Sequence, residues 1–547
     1  MGKKIISQPV VGTTSPNQGT QGITVNPGLG QHVQEQFSKI PERTKWVDGA
    51  FEGGVTLGAS YVGTLNVLEQ SGIWFRRVVG NSAGGIIAGL IAVGYSASEI
   101  RWLTSNFSGG IPRPSTLPPN VSPIDFMEFL DFPDPRTIDK SLIEKTFLWN
   151  ILKGDFIEEF LRQPLPHIPT RAGMATAIIA ACKTVIPGGQ LLMTVEVEKM
   201  LRGFLESNTL VMFPQQPPTL GDFMAFPNEN SRIEQAHQIF KVLMNINPMI
   251  PVMIQLIHAG SIFKGERFIQ LYGPLLRAKR NQLMGISNRS NVNFSQLRIP
   301  LTVVAANYKS KGIEIYSGMN STEDLSVVEA IRRSMSLPLV FEPRGRDKSI
   351  IDGGLISNFP VWLLHHTCDA YWPPSSIVPS LPKIGFSLTD TAIPPTRWNC
   401  LAPKYSMTED IPVDFFADQI AEAIKEEAKN SPLGIELSKP KKMEDFKFEI
   451  RFSKMLEVMI NTALMDKEKV MKANMIKALM HEYTFYHVDI PLKGFSGFDF
   501  RINSNKRYFH AIAQRGFHAT LDALSQPPMV GGGNPLIPNR ASVRMVF

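Results

Sequence analysis

Only three cysteines, Cys182, Cys368 and Cys400, occur in 547 residues, far apart and without Cys-x-x-Cys spacing. That excludes a disulfide framework or a cysteine zinc site and suits a reducing, cytoplasmic compartment. No run reaches the ~18 consecutive apolar residues that span a bilayer. The two longest apolar stretches, Ala172–Cys182 and Pro248–Phe263, are limited by Lys183 and by Pro251, Gln255 and His258, and read as buried helices. The chain start lacks the apolar core of a signal peptide, and Ile6 stands where a myristoylation signal needs Ser or Thr. Dense Lys/Arg runs with interleaved aromatics are lacking too, so no nucleic-acid partner is expected. The modest basic excess, 56 Lys and Arg against 49 Asp and Glu, fits peripheral contact with an anionic membrane as well as an ordinary solvated surface.

What is present reads as a folded protein, since 43% of residues are hydrophobic and only 19% charged. Residues 1–40 are rich in Gly, Ser, Thr, Gln, Asn and Pro and read as a flexible arm; residues 526–547, with Pro527-Pro528 and Gly531–Gly533, read as a loose tail. Order begins near Trp46. A strand ends at about Phe51, Val62, Leu65 and Leu68 recur at helical spacing, and Gly72 closes that helix. A second strand, Ile73–Val79, leads into an apolar helix over Ile86–Val93, and Ser96 with Glu99 forms a capping box for the next. Strands recur at Pro300–Ala306, Ile313–Tyr316, Ser349–Asp352, Ile384–Leu388 and Tyr486–Ile490, with a capped helix at about Glu323–Met335. This order predicts an α/β fold with a largely parallel sheet. The core is expected over 46–105 and 296–395, with a helical insertion at 106–295 and a mostly helical region at 396–525.

The chemistry concentrates at three places. Gly80-x-Ser82-x-Gly84 lies between a predicted strand and a predicted helix, the setting of a nucleophile elbow, in which small residues permit a tight turn that lifts the serine hydroxyl above the sheet edge. A serine needs a base. Asp352, followed by Gly353 and Gly354, ends another predicted strand, and in an open parallel sheet strand ends converge on the ligand site. The third place is the loop Gly53-Gly54-Val55 with Gly58, whose N–H groups can converge on a substrate oxygen. Its spacing fits neither Gly-x-Gly-x-x-Gly nor a P-loop, so no nucleotide cofactor is indicated.

Four runs in this order resemble the patatin-like phospholipase family: FEGGVTLGASYVGTL at 51–65, GNSAGG at 80–85, SMSLPLVFEP at 334–343 and DGGLISNFP at 352–360. The resemblance implies a three-layer α/β/α core, a Ser–Asp dyad without histidine, no cofactor or metal, and hydrolysis of acyl esters of a phospholipid or other acyl lipid. Carried over, Ser82 is the nucleophile, Asp352 the base, and Gly53, Gly54 and Val55 the oxyanion loop. Two positions depart from the family pattern. Val55 stands where a third glycine is usual and resists positive φ, and Leu57 replaces a basic residue that would meet an anionic headgroup. Two other readings stay open at this point. One is a Ser-His-Asp triad using His481, His487, His510 or His518, with His365 and His366 nearer in sequence but read as structural. The other is a lipid- or partner-binding protein on a weakened hydrolase core.

Overall fold

The protein was analysed as a computed structural model, which describes residues 45–107, 110–131, 249–320, 325–392, 472–528 and 534–545, with isolated positions between 138 and 244. The arm at 1–40, the Ala172–Cys182 stretch as a whole, most of the expected insertion and residues 393–471 lie outside the described residues.

Among the described residues, seven strands form one sheet: β1 (Lys45–Phe51), β2 (Ile73–Asn81), β4 (Leu301–Asn307), β5 (Gly312–Ser317), β7 (Ile350–Asp352), β8 (Lys383–Thr389) and β9 (Phe485–Pro491). The order is β5-β4-β2-β1-β8-β9, with β7 also on β4. The pairs β2–β4, β1–β2, β1–β8 and β8–β9 are parallel, while β5 and β7 run antiparallel to β4. Two three-residue strands, β3 (Ser261–Phe263) and β6 (Leu339–Phe341), make a separate parallel pair that the sequence reading did not anticipate.

Side chains alternate across a strand, and here each face has its own core. Val47 and Phe51 of β1, Leu301 and Val303 of β4, Ile384 and Phe386 of β8, and Tyr486, Val488 and Ile490 of β9 face one apolar cluster. That cluster is built with α1 (Tyr61–Gln70), α2 (Ala83–Val93), α5 (Glu266–Met284), α6 (Val327–Ser334) and α8 (Lys506–Leu524). The opposite face shows Ala50, Val79, Val304 and Phe485, covered by Phe359, Val361, Leu363, Leu364 and Trp372 and by Leu479 of the helical residues 472–482. The result is the three-layer α/β/α core with a mostly parallel sheet. Helices α1 and α8 touch backbone to backbone: a Cβ on Gly63 would sit 1.8 Å from the Ala513 carbonyl oxygen, and one on Gly516 1.9 Å from that of Ser60.

Local boundaries follow capping chemistry. Helix α3 (Ala97–Leu103) carries the expected box, with Glu99 N–H donating to Ser96 Oγ at 3.2 Å and Ser96 N–H to Glu99 Oε2 at 2.9 Å. Helix α6 starts later than its apolar spacing suggested. Ser326 caps it, accepting from Glu329 N–H at 3.3 Å, and Leu325 is buried just outside the helix. The Pro248–Phe263 stretch is helical only over α4 (Met249–Ala259). Gly260, at φ 70°, ends it, and the last three residues are β3. Residues 534–545 are not a loose tail: Ile537 N–H donates to Leu524 O at 2.9 Å, Tyr486 OH to Asn534 O at 3.0 Å, and Leu536, Ile537 and Val543 are buried.

Candidate active site

Strand β4 brings the two candidate residues together. One of its edges is taken by β5 over Thr302–Asn307. The other is shared: Leu301–Val304 pair with Val78–Asn81 of β2, and Ala305–Asn307 pair with Asp352–Ile350 of β7. Strand β7 thus ends where β2 stops, Val304 opposite Asn81 and Ala305 opposite Asp352. Ser82 and Asp352, 270 positions apart in the chain, become neighbours through adjacent register positions on a third strand.

Ser82 occupies the single position between β2 and α2, at φ 49° and ψ −122°. These angles match the first corner of a type II′ turn, a conformation that ordinarily calls for glycine. The flanking glycines are required by close approach. A Cβ on Gly80 would lie 2.4 Å from the Gly84 carbonyl oxygen, and one on Gly84 2.3 Å from that of Phe51. Ser82 N–H donates to Ser334 Oγ at 2.8 Å, and that hydroxyl in turn reaches the Val304 carbonyl and Asn81 Oδ1. The N-terminal end of α2, eleven residues long, begins directly after Ser82 and places its positive dipole there.

Asp352 is buried beside the Ser82 side chain. Its Oδ1 accepts from Gly354 N–H at 2.7 Å and from Asn81 Nδ2 at 3.4 Å. Burial pushes its pKa up to about 6, with the Gly354 N–H and the side chains of Ser82 and Asn81 opposing the rise. Gly353 is held tightly, since a Cβ there would meet Asn81 Oδ1 at 2.4 Å and the Val304 carbonyl at 2.6 Å.

The glycine loop departs from the expectation in one respect. Gly53 N–H donates to the Asn358 carbonyl at 3.1 Å, while Asn358 Nδ2 returns a bond to Gly53 O at 3.1 Å. The Gly53 amide is therefore engaged away from any oxyanion; its lack of a side chain is what lets the loop lie against Ser82, where a Cβ would come within 3.1 Å of Ser82 Cβ. Among the described residues, the N–H groups of Gly54 and Val55 make no hydrogen bond. Val55 does adopt positive φ, 51°, and opens the 3-10 helix Val55–Ser60. Leu57 packs against the apolar core, and Gly58 sits so close to the elbow that a Cβ would be 3.0 Å from Ala83 Cβ.

Three supporting side chains went unread as site residues. Asn81, Ser334 and Asn358 lie inside the recognised motifs, yet only the fold shows that their amides and hydroxyl knit Ser82, Asp352 and Gly53 together. Behind them, Glu52 is buried at the end of β1. It accepts from Lys472 Nζ at 2.8 Å, Leu388 N–H at 2.7 Å and Asn358 Nδ2 at 3.3 Å. Burial raises its pKa against the opposing pull of Lys472.

No histidine among the described residues hydrogen-bonds Ser82 or Asp352. His487 Nε2 instead meets Ser387 Oγ at 2.8 Å, and burial lowers its pKa to about 4. His510 packs against Phe107 and His518 against Phe517. His365 and His366 sit near the start of β9, the edge strand three places from β2: His366 N–H bonds Tyr483 OH, two residues before β9.

Comparison with known proteins adds the following. A 64-residue segment is 45% identical to the uncharacterized protein YqhO of Bacillus subtilis (strain 168), covering 12% of this chain and less than a quarter, 22%, of that protein's length. VipD from Legionella pneumophila is 14% identical over 88% of this chain and 67% of its own, with a TM-score of 0.29. Full-length ExoU in complex with SpcU, of the Pseudomonas aeruginosa type III secretion system, is 19% identical over 54% of this chain and 39% of its own, with a TM-score of 0.19. Superpositions at those scores bear on neither fold nor function. The model of the patatin-like phospholipase family, by contrast, matches residues 49–365, more than half the chain and inclusive of the glycine loop, the elbow and Asp352. The chain belongs to the patatin-like phospholipase family.

Proposed function

We propose that the protein is a lipid acyl hydrolase working through a Ser82–Asp352 dyad. The observation that carries this reading is the register that sets Ser82 beside Asp352, a buried carboxylate whose pKa, about 6, suits a base at neutral pH. Asp352 takes the Ser82 proton as Oγ attacks the ester carbonyl. The N–H groups of Gly54 and Val55, with the positive end of α2, hold the oxyanion. Collapse of the tetrahedral adduct expels the alcohol, which receives the proton from Asp352 and leaves an acyl group on Ser82. Asp352 then deprotonates a water that attacks the acyl-enzyme, releasing the fatty acid and restoring the Ser82 hydroxyl.

Contact with an anionic membrane belongs to the same proposal. The β4–β5 hairpin turns at the same end of the strands as Ser82, and exposes Tyr308 (51%) and Ile313 (36%) beside Lys309 and Lys311. Apolar and basic side chains together are what an acidic lipid interface attracts. Among the described residues no helix is long and apolar enough to cross a membrane.

A fluorophosphonate probe should label wild-type protein at Ser82 and leave folded Ser82→Ala unlabelled. Mass spectrometry on mixed phospholipids and neutral lipids should show fatty-acid release by wild type alone. Folded wild-type protein that neither labels nor releases fatty acid would instead support a lipid-binding role.

A further inference from the structure

At the sheet edge remote from Ser82, three side chains from two distant segments converge on one point. His365 precedes the 3-10 helix His366–Tyr371, and Glu482 ends the helical residues 472–482. His365 Nε2 and His366 Nδ1 lie 2.9 and 3.2 Å from the same oxygen, Glu482 Oε2, and the two imidazole centroids are 4.2 Å apart. All three groups can offer one ligand atom to a common centre, these atoms lying within 4.8 Å of one another. Ligands about 2.0–2.1 Å from a tetrahedral metal stand roughly 3.3 Å apart. The two nitrogen–oxygen separations are thus already close to the edges of such a tetrahedron.

The surroundings prepare one imidazole for this task. A histidine that binds a metal through one nitrogen generally donates its other ring N–H to a fixed acceptor. His365 Nδ1 accepts from the Thr367 backbone N–H at 3.3 Å and lies 2.9 Å from Thr367 Oγ1, which can take its N–H once an ion occupies Nε2. Tyr483 OH accepts from the His366 backbone N–H at 2.9 Å and lies 3.0 Å from His366 Nδ1, a contact that an ion would replace at that nitrogen. The side chains of His365, His366 and Glu482 are 19, 60 and 45% exposed, so an ion can enter from solvent and a water can complete its shell.

We propose that His365, His366 and Glu482 form a binding site for one zinc-class divalent ion. Two imidazoles and a carboxylate favour zinc over magnesium or calcium, which prefer all-oxygen shells. With Ser82 three strands away, at the end of β2, the ion acts as a clamp. It ties the segment after the Asp352 motif to the end of helical residues 472–482. Lys472, at the far end of those residues, is about 15 Å away along a helix rising 1.5 Å per residue. It holds Glu52, the residue before Gly53. The clamp therefore fixes one end of the element whose other end braces the glycine loop.

The test is titration of the chelator-treated full chain with zinc chloride, read by calorimetry, with cobalt(II) absorption as a report on nitrogen ligation. One ion per chain is expected, with a rise in melting temperature and a visible cobalt band. His366→Ala and Glu482→Gln, both changes at exposed side chains, should each abolish the isotherm and the cobalt band. Thr367→Val, which removes only the hydroxyl behind His365, should weaken binding about 10- to 100-fold. Excess magnesium should leave the isotherm unchanged. Absence of stoichiometric binding in the wild type, or an isotherm that survives both ligand substitutions, overturns the assignment. None of these readouts depends on hydrolysis, so they stand or fall apart from the proposed activity.

Discussion

Replacing Asp352 by asparagine should move activity and stability in opposite directions. The aspartate has a folded-state pKa of about 6 against an ordinary value of 3.8, because burial disfavours its charge. The native state therefore holds this proton more tightly than the unfolded state, so ionisation weakens the fold. The deficit grows as pH rises from about 4 to about 6 and is constant above that. At pH 7 it amounts to about 3 kcal/mol, and at pH 5 to about half as much. Asparagine cannot ionise. It keeps an oxygen to accept the Gly354 N–H, and its amide can donate to Ser82 Oγ. Asp352→Asn should accordingly be more stable than wild type at pH 7 by up to about 3 kcal/mol, with the advantage shrinking toward pH 5. Hydrolysis should fall at least about 100-fold, the contribution expected of a general base. Urea unfolding followed by tryptophan fluorescence from pH 5 to 8, run beside the lipid assay, measures both. A variant less stable than wild type at pH 7, or one whose offset ignores pH, would refute the account of Asp352 as a buried, costly charge.

Wild-type hydrolysis should rise through pH 6 as Asp352 ionises, from about a tenth of its maximum at pH 5 to about nine-tenths at pH 7; a rate flat from pH 5 to 7 contradicts this. Ser82→Gly and Ser82→Ala should both be inactive. The glycine variant should be the more stable of the two by about 1–2 kcal/mol, since only glycine relaxes at φ 49°; denaturation curves with the order reversed would remove the strain argument. Glu52→Gln should destabilise by about 3–5 kcal/mol because it strands Lys472 in a mostly buried setting. Adding Lys472→Met should restore much of that loss, and a double variant as unstable as the single one speaks against the pair.

Much of this architecture was legible in the sequence, for identifiable reasons. Strands β1 and β2 and helices α1 and α2 announce themselves because period 3.6 follows period 2 within fifty residues and glycines punctuate the changes. Ser82 and Asp352 were visible because a strained turn and a tight strand end each need small neighbours, which leave a spelled trace. Register leaves no such trace. That β2 and β7 share one edge of β4 depends on pairings among strands far apart in sequence, and the strands of the β3–β6 pair are too short for alternation to show. The engagement of Gly53 N–H by Asn358 was equally hidden, since an N–H has no letter of its own. At α6 the apolar spacing ran past the true start because Leu325 is buried without being helical.

The shared edge of β4 also sets when the chain becomes chemically competent. Residues 45–93 contain the glycine loop, the elbow and the helix behind it, and a growing chain completes them early. The carboxylate that would activate the serine is made 270 residues later and comes opposite Ala305 only after β4 has taken its place against β2. On the proposed dyad, a nascent or half-folded molecule carries a nucleophile with no base, and any detour that shifts β4 by one residue separates the two. Hydrolysis by the proposed dyad is then reserved for molecules in which β4 has paired correctly along its whole length, so the dyad would double as a check on completed folding.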